Sequence, residues 1–173
     1  MDKSIILRLS AGDRALMNRC AMAPSAPWLS RSVWTAVTHL GGTGPTLLVA
    51  GLPWFACCAL HQVSGLALAS VIISHLLVQL VKRTVSRVRP AADGCVALVR
   101  EPDRFSFPSG HATASMSVAA AYAVVFPTWA APVFILATVV GFSRVRLGVH
   151  YPSDVVVGQV IAVATSAALA ALL

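Results

Sequence analysis

Charge is what this chain has least of. No Asp, Glu, Lys or Arg occurs from Ser32 to Val81, from Phe105 to Ser143, or from Val155 to Leu173. Only 11% of its 173 residues are charged, against about 25% in an ordinary soluble domain. A water-facing fold cannot leave that much sequence without a solvated charged face. A hydrophobic share of 57% excludes disorder. The pI near 10.1 does not signal a nucleic-acid partner, because the long charge-free stretches point to the membrane instead. Cysteine is scarce as well. Cys20, Cys57, Cys58 and Cys95 form no CxxC metal pattern and argue for no disulfide framework. Charged residues interrupt every early apolar run, so no signal peptide is expected at the N-terminus. What remains is a single all-α domain, residues 1–173, folded as a polytopic transmembrane helical bundle.

Five segments have the composition of spanning helices: about Pro45 to Leu60, Gly65 to Val81, His111 to Phe126, Trp129 to Leu147, and Tyr151 to Leu173. Pro108 and Pro127 bound the third, leaving a length of about 27 Å, enough for a hydrocarbon core. The connections after the first and third are short and uncharged, so each joins an antiparallel pair. Residues 1–44 read differently. Ile5, Leu9, Leu16 and Cys20, then Leu29, Val33, Val37 and Leu40, recur at roughly helical spacing among charged or polar residues. These are expected to be amphipathic helices at the interface or against the bundle, ahead of a catalytic bundle over 45–173. A sixth span over Trp34 to Leu48 is the alternative, opposed by Gly41, Gly42, Gly44 and Pro45.

Helix parity then places three polar clusters on one membrane face. They are Lys82 to Pro90, Pro108 to His111, and Ser143 to Asp154. Convergent charge at the ends of apolar helices points to a site. The clusters supply Lys82, Arg89 and Arg144 as cations, His111 and His150 as imidazoles, and Asp154 as a carboxylate. They hold no thiolate set and no carboxylate cluster suited to Mg²⁺, so neither metal nor cofactor is expected. Three fixed cations beside a helix start suit a phosphate dianion. Ser109 is placed as an N-cap, and Gly110 permits close backbone approach to a ligand. Asp154, four residues after His150, can keep one ring nitrogen protonated and leave the other free as a nucleophile. His111, on another helix, can serve the leaving-group side as general acid and then base.

The segments KxxxxxxRP (Lys82–Pro90), PSGH (Pro108–His111) and SRxxxxxHxxxD (Ser143–Asp154) stand in order and without substitution. On these residues the chain resembles the type 2 phosphatidic acid phosphatase superfamily, which includes membrane lipid phosphatases. The resemblance implies His150 as nucleophile, Asp154 as its partner and His111 as general acid/base. It implies Lys82, Arg89, Ser109, Gly110 and Arg144 as phosphate ligands. Many membrane members have a spanning helix ahead of the two that precede the first motif, where this chain reads as amphipathic.

The expected activity is metal-independent hydrolysis of a lipid phosphomonoester or diphosphate through phosphohistidine. The candidate lipids are a polyprenyl diphosphate, phosphatidylglycerol phosphate, phosphatidic acid, a lipid A phosphate and a polyprenyl phosphosugar phosphate. The alternatives are a lipid phosphotransferase using the same site and a non-catalytic lipid-binding protein. The expected location is a bacterial inner membrane, with the site on the cytoplasmic side by the positive-inside rule. Arg83, Arg87, Arg100, Arg104 and Arg146 read as interfacial anchors or headgroup contacts. His39, His61 and the four tryptophans read as interfacial. His75, Gln79 and Lys82 form a stripe at i, i+4 and i+7 that faces the bundle interior.

Overall fold

The computed structural model describes residues 3–100 and 103–172, without the side chains of residues 3–10 and Ala59. The expected apolar positions Ile5 and Leu9 lie outside the described side chains. Among the described residues seven α-helices follow one another: α1 (Lys3–Cys20), α2 (Trp28–His39), α3 (Thr43–Gly51), α4 (His61–Val85), α5 (Gly110–Val125), α6 (Ala130–Arg146) and α7 (Pro152–Ala170). No strand occurs among the described residues.

Among the described residues three segments are long and apolar enough to cross a membrane: His61–Asp93, Pro127–Arg146 and Pro152–Ala170. The span expected over Pro45 to Leu60 is instead the nine-residue α3 followed by two 3-10 turns, Leu52–Phe55 and Cys58–Leu60. Gly51 and Pro53 sit where the α-helical ladder gives way, as expected of a residue with maximal backbone entropy and one without an N–H. Helix α5 has 16 residues, about 24 Å of rise. It is the central helix, packed against α4, α6 and α7. The single helix over Trp34 to Leu48 does not form, because α2 ends at His39 and α3 begins at Thr43.

The distribution of side chains is that of a bundle in lipid. The interior is built on small residues such as Ala67, Ala112, Ala121 and Ala162, with Ser64, Ser70, Ser74 and Ser117 also buried. Large apolar residues point outward, among them Leu76, Leu80, Ile135, Leu136 and Val160. Small residues let helix backbones approach closely where lipid tails supply no hydrophobic drive for association. The Ser74 and Ser117 hydroxyls are 2.8 Å apart, satisfying one another between α4 and α5.

Helices α1 and α2 lie against the bundle. Met17 of α1 is buried with Ala112, Val145, Tyr151 and Val155, and α2 packs on α6. At the break between α2 and α3, a Cβ on Gly41 would stand 2.9 Å from the His111 carbonyl oxygen and 2.7 Å from Val140. Only a glycine lets this segment lie against the start of α5.

Candidate active site

A cleft of about 510 Å³ opens between α3, α4 and α5. Its wall is apolar over Leu47, Val71, Ile72, Leu76 and Ala114, with His75 and Gln79 set into it. One end is lined by Lys82, Arg89, Asp103, Gly110, His111 and His150. Five of the eight residues expected at a site thus share one cavity. The other three, Ser109, Arg144 and Asp154, are buried behind them.

His150 is placed by the tight turn between α6 and α7. Gly148 there has φ +80°, a conformation that L side chains rarely adopt. The Arg144 carbonyl accepts the Val149 and His150 N–H groups at 3.1 and 3.3 Å. The ring Nε2 of His150 lies 3.4 Å from Arg89 Nη1 on the cleft side. Its Nδ1 is turned to Asp154, 3.4 Å from Oδ2, a near contact that stops short of a hydrogen bond. Burial, then the charges of Arg144, Arg89 and Lys82, hold the imidazole well below its ordinary pKa, so the ring is neutral at pH 7. Asp154 opens α7 in a capping box and accepts the Tyr151 N–H at 2.9 Å. Its Oδ1 accepts from Arg87 Nη1 at 2.9 Å.

The cations are held by groups that carry no motif. Lys82 Nζ donates to Asp103 Oδ2 at 2.7 Å and to the Phe105 carbonyl at 3.1 Å. Arg89 donates to the Asp103 carboxylate and carbonyl, and to the Val149 carbonyl at 2.8 Å. Burial alone would raise the Asp103 pKa, but hydrogen bonds and charge from Lys82 and Arg89 outweigh it and hold the carboxyl below its ordinary value. Arg144 Nη1 donates to Thr38 Oγ1 of α2 at 2.7 Å. Ser109 occupies the N-cap position of α5, but its hydroxyl makes no capping bond. That hydroxyl is buried and lacks a hydrogen-bond partner among the described residues, a state that costs about 1–3 kcal/mol until a ligand satisfies it. Gly110 has open space where a side chain would stand.

Sequence reasoning missed Asp13, Thr38 and Asp103, and read Arg87 as an interfacial anchor or headgroup contact. Asp103 and Arg87 lie in the long polar connection from α4 to α5, whose length was the available signal. Asp13 and Thr38 sit on amphipathic helices, where nothing distinguishes them from an outward polar face.

A helical bundle with a lipid-facing exterior, and a cleft joining an apolar wall to a basic, imidazole-lined end, defines a multi-pass membrane protein. Residues 64–173 match the PAP2 superfamily, and the chain belongs to that superfamily. It is 40% identical over 90 residues to the decaprenylphosphoryl-5-phosphoribose phosphatase of Mycobacterium tuberculosis, covering 52% of this chain and 50% of that protein. It is 33% identical over 168 residues to phosphatidylglycerophosphatase B of Bacillus subtilis, covering 87% and 77% respectively. The chain spans about half the length of the mycobacterial relative. Among solved structures, the transmembrane PAP2-type phosphatidylglycerolphosphate phosphatase of Bacillus subtilis superposes with a TM-score of 0.74 at 26% identity, over 95% of this chain and 85% of that one. Aquifex aeolicus LpxE shares the fold, with a TM-score of 0.69 at 21% identity over 91% and 92% of the two chains.

Proposed function

We propose that this chain is an integral membrane lipid phosphatase, hydrolysing a lipid phosphomonoester or diphosphate through a phosphohistidine. The orientation of His150 carries the reading. Its Nε2 faces the cleft beside Arg89 while Nδ1 is turned to Asp154, the arrangement an imidazole nucleophile needs. In the first step Nε2 attacks phosphorus, and the bond from phosphorus to the lipid oxygen breaks. His111, protonated as the phosphate dianion enters beside it, gives that proton to the leaving oxygen. Asp154 offsets the positive charge on the imidazole ring. In the second step His111 takes a proton from water, whose oxygen attacks phosphorus. The bond to nitrogen breaks, releasing inorganic phosphate and restoring neutral His150 and protonated His111. Lys82, Arg89, Arg144, the Ser109 hydroxyl and the N–H groups around Gly110 hold the phosphoryl oxygens as charge develops on them. The donor set requires no metal.

The apolar wall of the cleft supports a lipid substrate: phosphatidylglycerol phosphate, phosphatidic acid, a lipid A phosphate, a polyprenyl diphosphate or a polyprenyl phosphosugar phosphate. The setting proposed is a bacterial inner membrane, with the site on the cytoplasmic face. Purified protein in detergent with EDTA is expected to release phosphate from members of that panel. His150→Ala should lower kcat/KM about a thousandfold or more, as removal of a nucleophile does. Undiminished activity in that variant would overturn the mechanism, and transfer of phosphate to an added alcohol would turn the reading to a phosphotransferase.

A further inference from the structure

We propose that Asp13 of α1 is a positioning residue for the His150–Asp154 pair, acting through Arg87. The inference rests on the reading of His150 as nucleophile. Asp13 is buried, and its carboxylate accepts from three donors: Arg87 Nη2 at 2.7 Å, the Ser153 N–H at 3.0 Å, and the Ser153 hydroxyl. Arg87 uses its other terminal nitrogen, Nη1, on Ser153 Oγ at 2.8 Å and Asp154 Oδ1 at 2.9 Å. Its guanidinium also lies 4.0 Å over the Tyr151 ring. A continuous run of direct contacts therefore leads from α1 to the carboxylate behind His150. Helix α1 precedes the residues that match the superfamily, 64–173.

Two effects follow from one guanidinium shared by two carboxylates. The first is geometric. An Arg side chain is long and rotamer-rich, and a second anionic partner on its other nitrogen fixes the fork, and with it the Asp154 carboxylate. The second is electrostatic. Alone with Asp154, Arg87 would neutralise it. With Asp13 present the trio keeps a net charge of −1, so Asp154 retains the capacity to stabilise the imidazole as it becomes positive. Lys82, Arg89 and Arg144 make that capacity matter, because each opposes a positive charge on His150.

The competing account is that Asp13 merely docks α1, and substitutions separate the two. The full chain is purified in detergent and assayed on a lipid phosphate that the wild type hydrolyses, with thermal unfolding followed in parallel. Asp13→Asn is expected to lower kcat about tenfold with KM within about twofold, the scale on which supporting residues act. Asp13→Glu, which keeps the charge, should recover most of that loss. Combining Asp13→Asn with Arg87→Gln should be no worse than Arg87→Gln alone, as for residues acting in one chain. Met17→Ala loosens the same helix without touching Arg87, and should lower the Tm while leaving kcat unchanged. The proposal is overturned if Asp13→Asn leaves kcat unchanged, or if Met17→Ala lowers it equally. Should Asp13→Asn not survive purification, Arg87→Lys replaces it. A lysine keeps the charge but lacks the rigid planar fork that presents a separate nitrogen to each carboxylate, so kcat should again fall about tenfold, and an unchanged kcat overturns the inference. A wild-type protein that releases phosphate from no lipid would instead sink the phosphatase reading.

Discussion

Asp103 meets Lys82 and Arg89, the two motif cations of the first cluster. Lys82 and Arg89 are buried side by side, and two like charges out of water need an anion between them. Asp103 supplies it from a half-exposed position, one carboxylate oxygen to each cation. A phosphate dianion offers more charge and more acceptors to the same two groups, so it competes with Asp103 for them. Asp103→Asn removes the competitor, and inorganic phosphate should then inhibit hydrolysis about tenfold more strongly, equivalent to about 1.4 kcal/mol. The inhibition constant for orthophosphate measures this. A weaker inhibition would mean that Asp103 holds the cations in place for phosphate.

Helix α4 carries the phosphate end of the cleft and also part of its wall. Gln79 and His75 lie one and two turns before Lys82, about 4.5 and 10 Å away along the helix axis. Both line the cleft, with Gln79 Nε2 and His75 Nε2 3.3 Å apart. A prenyl chain bonded directly to its phosphate puts only hydrocarbon at the depth of His75. A glycerol- or sugar-linked lipid puts hydroxyl or ester oxygens there, and these can bond to the pair. Gln79→Leu should therefore lower kcat/KM for phosphatidic acid about fivefold more than for a polyprenyl diphosphate, roughly the worth of one hydrogen bond. Equal losses on the two lipids would assign the pair to helix packing.

The bundle as a whole carries reporters of its orientation. Helix α4 has 25 residues, about 37 Å of rise. It separates the exposed Cys57 and Cys58 from the Lys82 end. Arg14, Lys82, Arg87, Arg89, Arg144 and Arg146 gather at the other end, where α1, the connection from α4 to α5 and the turn from α6 to α7 meet. With that end in the cytoplasm, an impermeant maleimide on intact cells should label Cys57 and Cys58 in a variant lacking Cys20 and Cys95. It should not label Arg100→Cys in a cysteine-free background. The reverse pattern would place the site on the outer face.

Family, membrane setting and the convergence of the three clusters were legible from the sequence. Charge-free runs mark apolar helices wherever those helices pack, and parity brings helix ends together without any knowledge of side-chain contacts. The motif residues sit at those ends, so the meeting of Lys82, Arg89, Gly110, His111 and His150 in one cleft follows from topology. Helix lengths were less legible. Pro45 to Leu60 has the composition of a span, but local backbone breaks at Gly51 and Pro53 divide it. The supporting residues were not legible at all. Asp13 and Arg87 are 74 positions apart, and Thr38 and Arg144 are 106 apart. On its own helix Asp13 is one acid beside Arg14, indistinguishable from a solvated face. Which charge a buried guanidinium selects depends on the groups that packing leaves within reach of its fork, and only the tertiary structure decides that.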